Sequence, residues 1–320
     1  MLSELRVRAG GALISGLLNT TMRGMRLHPQ AWSIGRGVEV TRNIPYTDSG
    51  DPAQRLDVYR PKNAKGPLPI FLYIHGGGFR ILSKDTHWMM NYKFAQHGFV
   101  VFSINYRLVP SGVYPNALKD VMAAVKWISA HAADFGADPT QWYIGGESAG
   151  GNLTLALTLA ACERSAEPWA AEIYDLDLPI KAILPACGIL QVSDGDRFKR
   201  RKQTLPTLLA DRVSSVCSEY LGSDENRGSL ADPLLILESD WTPTRPLPPT
   251  MSLVGTRDPI LDDTRRLGAA LKRRGVEHEI KIYPGGIHGF HVVFWSDRGR
   301  AAWDAQLAFL DRFLVRGKTS

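Results

Sequence analysis

Cysteine is scarce in this chain of 320 residues: Cys162, Cys187 and Cys217 are the only ones. An odd count at wide spacing argues against a disulfide framework and for a reducing compartment, so a cytoplasmic location is expected. No cysteine–histidine cluster has metal-ligand spacing, and no metal is expected. No apolar run approaches the ~20 residues of a membrane span. Internal repeats and low-complexity tracts are absent as well, which argues against repeat architectures. Acidic excess is lacking: 38 Lys and Arg against 32 Asp and Glu leave a net charge of +6. Part of that excess sits in Arg197, Lys199, Arg200, Arg201 and Lys202. A nuclear-localisation or nucleic-acid patch is one reading of the run. No aromatic ladder or nucleic-acid motif accompanies it, so a solvated loop and no nucleic-acid partner are expected.

The N-terminus is apolar and basic. Ala9 to Leu18 follows Arg6 and Arg8 and faintly resembles a signal peptide, but Gly10, Gly11 and Gly16 interrupt it and no clear small-residue cleavage site follows. Leu2, Leu5, Leu13, Leu17, Leu18, Met22 and Met25 recur at roughly helical spacing, which predicts an amphipathic helical segment packed on the main domain.

What is present is an ordinary soluble composition, 44% hydrophobic and 22% charged, long enough for one large α/β domain or two small ones. Val38–Thr41 and Arg55–Tyr59 alternate polar and apolar, as half-exposed antiparallel strands do. Pro69–Ile74, Phe99–Ile104, Gln141–Ile144, Ile180–Ala186 and Pro249–Val254 are nearly continuous apolar runs, as in strands covered on both faces. Val276–Tyr283 alternates like a strand near an edge. Helices are predicted near Thr86–Gln96, Ala117–Ala133, Asn152–Ala160, Asp262–Arg274 and Arg300–Val315. Between Gly188 and Pro248 the pattern changes: Leu205–Leu209 and Val213–Leu221 are short helical stretches among charge and proline, and an insertion is placed there. Alternating strands and helices predict an α/β fold, a mostly parallel sheet with helices on both faces.

The chain is organised around Gly146-Glu147-Ser148-Ala149-Gly150, set between a strand and a helix. A serine in G-x-S-x-G at such a turn is a nucleophile elbow: the tight turn exposes the hydroxyl, and the first helical N–H groups face the same point. Serine needs an imidazole to take its proton, and an acid to orient that imidazole. On the elbow reading these follow in the order acid, then histidine. Asp258 stands just after the strand that ends near Val254; Asp262 and Asp263 compete, but they sit where a helix N-cap is wanted. Of the eight histidines only His288 and His291 have the right position, and His291 falls inside an apolar run, which favours His288. His28, His87, His97, His131 and His278 read as surface or satisfied structural residues. His75-Gly76-Gly77-Gly78 supplies an oxyanion loop, with Gly76, Gly77 and Ala149 as N–H donors and His75 bracing the loop. A phosphate loop is the competing reading, but it lacks Gly-Lys-Ser/Thr.

In order along the chain, His75–Phe79 (HGGGF), Tyr106–Pro110 (YRLVP), Gly146–Gly151 (GESAGG), Asp258–Ile260 (DPI) and His288–Phe290 (HGF) resemble the hormone-sensitive-lipase-like branch of the α/β-hydrolases. The resemblance spans about residues 40–315. It implies an eight-stranded α/β-hydrolase sheet with a helical cap, and carboxylesterase activity without a cofactor. It also implies a triad of Ser148, Asp258 and His288, and a structural pair of Arg107 with Asp120. Two positions depart from the family pattern: Ser111 stands where Glu is usual, and Glu147 where Asp is commoner. The family's cap is built from an N-terminal segment and an insertion, which correspond to residues 1–40 and 188–248; residues 41–187 and 249–320 form the catalytic domain. The expected partner is a small-molecule ester. A homodimer and a membrane surface stay open as further partners. Three rivals share the scaffold: a catalytically dead ligand binder, an amidase, formamidase or acyltransferase, and a membrane-surface lipase.

Overall fold

Period-2 alternation of large apolar side chains builds the sheet. In the third strand Ile70, Leu72 and Ile74 enter one buried cluster while Phe71 and Tyr73 enter another on the opposite face. The computed structural model describes residues 16, 20, 24–28, 34–200 and 207–314. Its eight strands are β1 (Val38–Pro45), β2 (Arg55–Pro61), β3 (Leu68–Ile74), β4 (Val100–Ile104), β5 (Ala137–Glu147), β6 (Ile180–Ala186), β7 (Thr250–Gly255) and β8 (His278–Tyr283). They form one sheet in the order β1-β2-β4-β3-β5-β6-β7-β8. β1 and β2 pair antiparallel, β2 and β4 likewise, and every later pairing is parallel. The parallel strands therefore end on one edge, and the loops after β3, β5, β6, β7 and β8 open there.

Among the described residues eight α-helices connect or cover these strands: α1 (Trp88–Gln96), α2 (Asn116–His131), α3 (Ala149–Cys162), α4 (Pro168–Asp175), α5 (Thr207–Leu221), α6 (Pro233–Glu238), α7 (Leu261–Arg273) and α8 (Asp297–Asp311). α1 and α8 pack on the Phe71/Tyr73 face through Met90, Phe94, Trp303 and Phe309. α2, α3 and α7 pack on the other face through Leu118, Val125, Leu153, Leu157 and Leu267. Every residue of α3 is buried, which suits a helix that is apolar on all sides. No helix among the described residues is long and apolar enough to cross a membrane.

The structure revises several expectations. The elbow strand runs eleven residues, Ala137–Glu147, beyond the expected Gln141–Ile144, because backbone pairing to β3 extends past the apolar residues Trp142–Ile144. Of the helical stretches expected at Leu205–Leu209 and Val213–Leu221, the described part forms a single helix, Thr207–Leu221; Leu205 lies outside the described residues. Asp262 and Asp263 are not N-caps. Ile260 holds that position, and buried Asp263 instead accepts from Leu190 N (2.8 Å) and pairs with Arg197 (2.6 Å). Arg197 thus leaves the solvated loop expected for the basic run, because a buried carboxylate needs a charged partner; Arg201 and Lys202 lie outside the described residues. Asp232 accepts from Val192 N (2.6 Å) and Ser193 N (2.9 Å), and Asn152 Nδ2 donates to Ile189 O and Ala231 O, so the chain after β6 is tied to α3. Of the N-terminal stripe, Leu2, Leu5, Leu13, Leu17, Leu18 and Met22 lie outside the described residues. Met25 is buried with Ile34 and Val38 on the α1/α8 face.

The expected Arg107–Asp120 pair is present and bidentate, Nε to Oδ2 and Nη2 to Oδ1 both at 2.8 Å, with Gln54 Nε2 donating to Oδ1 at 2.6 Å. Ser111 is exposed, and its hydroxyl donates to Leu108 O at 3.1 Å.

Candidate active site

β5 delivers the chain to the edge, and α3 begins one residue after Ser148. The turn between them needs glycine by close approach: a Cβ on Gly150 would lie 2.0 Å from Ile74 O, and one on Gly146 2.5 Å from the same oxygen. Ser148 itself sits at φ 56°, ψ −116°, a conformation that costs a non-glycine residue on the order of 1–3 kcal/mol. It occupies the N-cap position, where serine is favoured as a cap, yet its hydroxyl makes no cap hydrogen bond. Strain and an uncommitted hydroxyl at a helix N-terminus are what an exposed nucleophile needs.

The loop after β3 lies against this turn. A Cβ on Gly76 would meet Glu147 O at 2.8 Å and Ser148 Cβ at 3.4 Å, so only a bare backbone can pass the serine. Gly77 adopts φ 120°, and a side chain there would strike Ile81 O at 1.9 Å. His75 is buried and stacked on Tyr106, with centroids 4.4 Å apart. Burial and the neighbouring His87 push its pKa down to about 3, so the ring is neutral. Nδ1 therefore donates to Gly76 O at 2.7 Å. Because the peptide is planar and trans, holding the Gly76 carbonyl on one side turns the Gly77 N–H to the other. Ala149 is the first helical residue, so its N–H has no partner within the helix.

Asp258 follows β7 and is buried; Oδ1 accepts from Ile260 N at 2.9 Å, which fixes the carboxylate, and Oδ2 lies 2.9 Å from His288 Nδ1. Two influences on the His288 pKa oppose each other. Desolvation acts to lower it, and the adjacent Asp258 carboxylate, by charge and by hydrogen bond, raises it above the ordinary imidazole value. The side chain stays 38% exposed on its outer side, so the desolvation is only partial. Cys187 is buried one residue past β6; the preceding Ala186 O accepts from Ser148 N at 3.0 Å, and the Cys187 sulfur lies within 4.8 Å of a ring nitrogen of His288 and a carboxylate oxygen of Asp258. The serine turn and the His288 loop thus converge on one point.

All three residues expected for the triad stand at this edge, and Asp258 and His288 are in contact. Sequence reasoning missed the layer beneath. Glu147, the residue before Ser148, is buried with His87 Nε2 2.9 Å from Oε1 and His291 Nε2 2.8 Å from Oε2. Burial acts to raise its pKa, but the His291 and His87 contacts outweigh burial and hold it well below the usual carboxylate range. The available signal was His291 itself: a polar ring in an apolar run needs a buried partner.

The geometry matches known proteins. The family described as alpha/beta hydrolase fold matches residues 71–292. The versiconal hemiacetal acetate esterase of Dothistroma septosporum is 29% identical over 260 residues, covering 79% of this chain and 76% of its own. The acetyl esterase of Salmonella typhi is 28% identical over 306 residues, covering 95% and 89%. The crystal structure of esterase B from Lactobacillus rhamnosis superposes with a TM-score of 0.79 over 97% of this chain and 96% of its own, a likeness of fold at 20% identity. With the strand order, the serine turn and these matches in hand, the chain belongs to the α/β-hydrolase fold family, in its hormone-sensitive-lipase-like carboxylesterase branch.

Proposed function

We propose that this protein hydrolyses carboxylic esters, with Ser148 as nucleophile, His288 as general base and acid, and Asp258 orienting His288. The observation that carries the reading is the 2.9 Å contact between Asp258 Oδ2 and His288 Nδ1, at the sheet edge that presents Ser148 in its strained turn. Ser148 Oγ attacks the acyl carbon while His288 takes its proton. The N–H groups of Gly76, Gly77 and Ala149 stabilise the oxyanion. The intermediate collapses, His288 protonates the departing alcohol, and an acyl-enzyme remains. Water then attacks the acyl carbon as His288 accepts its proton, and the returning proton restores Ser148 as the acid leaves. No step calls for a cofactor or a metal.

Residues 188–248 are proposed as a cap insertion on a catalytic domain of residues 41–187 and 249–320, with residues 1–40 as its second piece. Val216 of α5 supports this: a Cβ on Gly78 would lie 3.0 Å from its Cγ2, so α5 sits directly on the oxyanion loop. Tyr220 stacks on Phe79, with centroids 3.6 Å apart, and Arg80 pairs with Glu219. A cap this close leaves little room beside the oxyanion. Together with relatives named as acetyl and acetate esterases, it favours small acyl groups over the long chains of a surface lipase.

The test compares p-nitrophenyl esters from acetate to octanoate with matched amides and formamides. Fastest turnover is expected on short esters. In Ser148→Ala, loss of the nucleophile should cost roughly 10⁶ in rate, with folding intact. Near-wild-type turnover in that variant, or amides cleaved faster than esters, would refute the reading.

A further inference from the structure

Ester hydrolysis leaves one buried reactive side chain at the site without a task. Among the described residues, a single group of histidine, cysteine and carboxylate side chains has its ligand atoms mutually close: those of Cys187, Asp258 and His288 all lie within 4.8 Å of one another. They come from the ends of β6 and β7 and from the loop after β8, so nothing in their sequence spacing suggests a site. One sulfur, one carboxylate oxygen and one imidazole nitrogen are the donors that borderline and soft divalent cations select, whereas magnesium and calcium prefer oxygen alone.

The geometry is close to what such a cation requires. Zinc bonds of about 2.0–2.3 Å place tetrahedral ligand atoms roughly 3.5 Å apart, so atoms within 4.8 Å of one another need to close by no more than about 1.3 Å. Cys187 and Asp258 are 1% and 2% exposed and hold their places in packed backbone. His288, 38% exposed, is free to make the adjustment and leaves the solvent side open for water as fourth ligand. Burial and the nearby Asp258 and Glu147 carboxylates hold the thiol well above its ordinary pKa, against a smaller opposing pull from the backbone of Gly289 and Ser148, so the sulfur enters a cation site only by giving up its proton as the metal binds. On binding, the sulfur–metal bond replaces the S–H bond, and the proton leaves to solvent.

We propose that Cys187, Asp258 and His288 form a binding site for a divalent cation of the zinc type, and that its occupancy switches hydrolysis off. The switch rests on the triad reading above; the site itself does not. A cation held there takes Asp258 and one imidazole nitrogen together. The imidazole can then no longer pass a proton between Ser148 and the leaving group while braced by Asp258.

The test titrates the purified protein with Zn²⁺ during p-nitrophenyl acetate hydrolysis, with Mg²⁺ as control and EDTA added last. Reversible loss of activity with Zn²⁺ and none with Mg²⁺ is expected. Each rate is normalised to the same variant's metal-free rate. Cys187→Ser and, should that variant not fold, Cys187→Ala should need at least the ~10–100-fold more Zn²⁺ that losing even an outer-shell partner costs. In parallel, Co²⁺ should give a thiolate-to-metal absorption band in the wild type and in Ser148→Ala, and none in the Cys187 variants. No band in the wild type, or equal Zn²⁺ inhibition of wild type and Cys187 variants, overturns the site. A band without inhibition overturns the switch. A Ser148→Ala protein that binds Co²⁺ yet still hydrolyses ester would instead overturn the triad and leave the site standing.

Discussion

Asp258 holds one imidazole, that of His288, whose outer side is exposed; Glu147 holds two, those of His87 and His291, and all three are buried. The two systems lie at the same edge of the sheet and are made of the same groups. In the first, the carboxylate is anchored by a backbone N–H and leaves the imidazole a free side, so the ring can exchange protons with a substrate. In the second, both sides of the carboxylate are taken up by imidazole and no substrate can reach it. Exposure of the ring, not its chemistry, separates the proposed working pair from the bracing one. The bracing cluster lies directly under the residue before Ser148, so it holds the strained turn in place.

The comparison can be broken most decisively by substituting the two carboxylates. Asp258→Asn should lower kcat by about 10⁴, through loss of the imidazole's orientation and tautomer, with an unfolding midpoint near that of the wild type. If that variant unfolds but its folded fraction turns over normally, Asp258 is a structural residue and the assignment falls. Glu147→Gln should do the reverse. Removing one partner from a buried charged cluster costs about 3–5 kcal/mol, read by urea unfolding at neutral pH. Because the folded pKa of Glu147 is depressed, its contribution is complete above the unfolded value of about 4.3 and fades as pH falls toward the folded value. The stability gap between wild type and Glu147→Gln should therefore narrow below about pH 4. A gap that widens there would mean that Glu147 is not held ionised by its two histidines.

A smaller effect sharpens the same contrast through pH. His288 must be neutral to accept the Ser148 proton, and Asp258 raises its pKa. The acidic limb of kcat/KM should accordingly lie above the ordinary imidazole value of about 6.5. In Asp258→Asn the limb of the residual activity should move down. A limb that stays in place would detach it from His288.

The smallest effect tests the proposal that the N-terminal segment is part of a cap over the exposed pair. Residues 1–23 carry Leu13, Leu17, Leu18 and Met22, and a cut there spares buried Met25 and Ile34. Without the segment, octanoate turnover should fall more than acetate turnover, since each buried CH₂ contributes roughly 0.8 kcal/mol. Equal proportional losses would mean that the segment supports stability and not the pocket.

Much of this was legible in the residues because it rests on local rules. Continuous apolar runs marked the parallel strands, and alternation marked β1 and β2 as antiparallel. Gly146 and Gly150 marked the elbow because no side chain fits so close to Ile74 O. Chain order then placed the proposed acid and base after the serine. Asp263 was misread as a cap because local pattern cannot reveal Arg197, a partner brought in from a distant loop. Glu147 carried no signal of its two histidines for the same reason: His87 and His291 are remote in the chain and meet it only where β5, α1 and the loop after β8 converge.

By itself, then, the sequence determined the alternation of strands and helices, the tight turn at Ser148 and the glycine loop at His75. Each depends on backbone sterics or on periodicity within a few residues. Tertiary structure alone decided which carboxylate is sealed between two rings. It also decided that a lone cysteine after β6 comes to lie beside Asp258 and His288. Those outcomes depend on burial and on contacts between distant segments, and both are fixed only when the sheet edge closes.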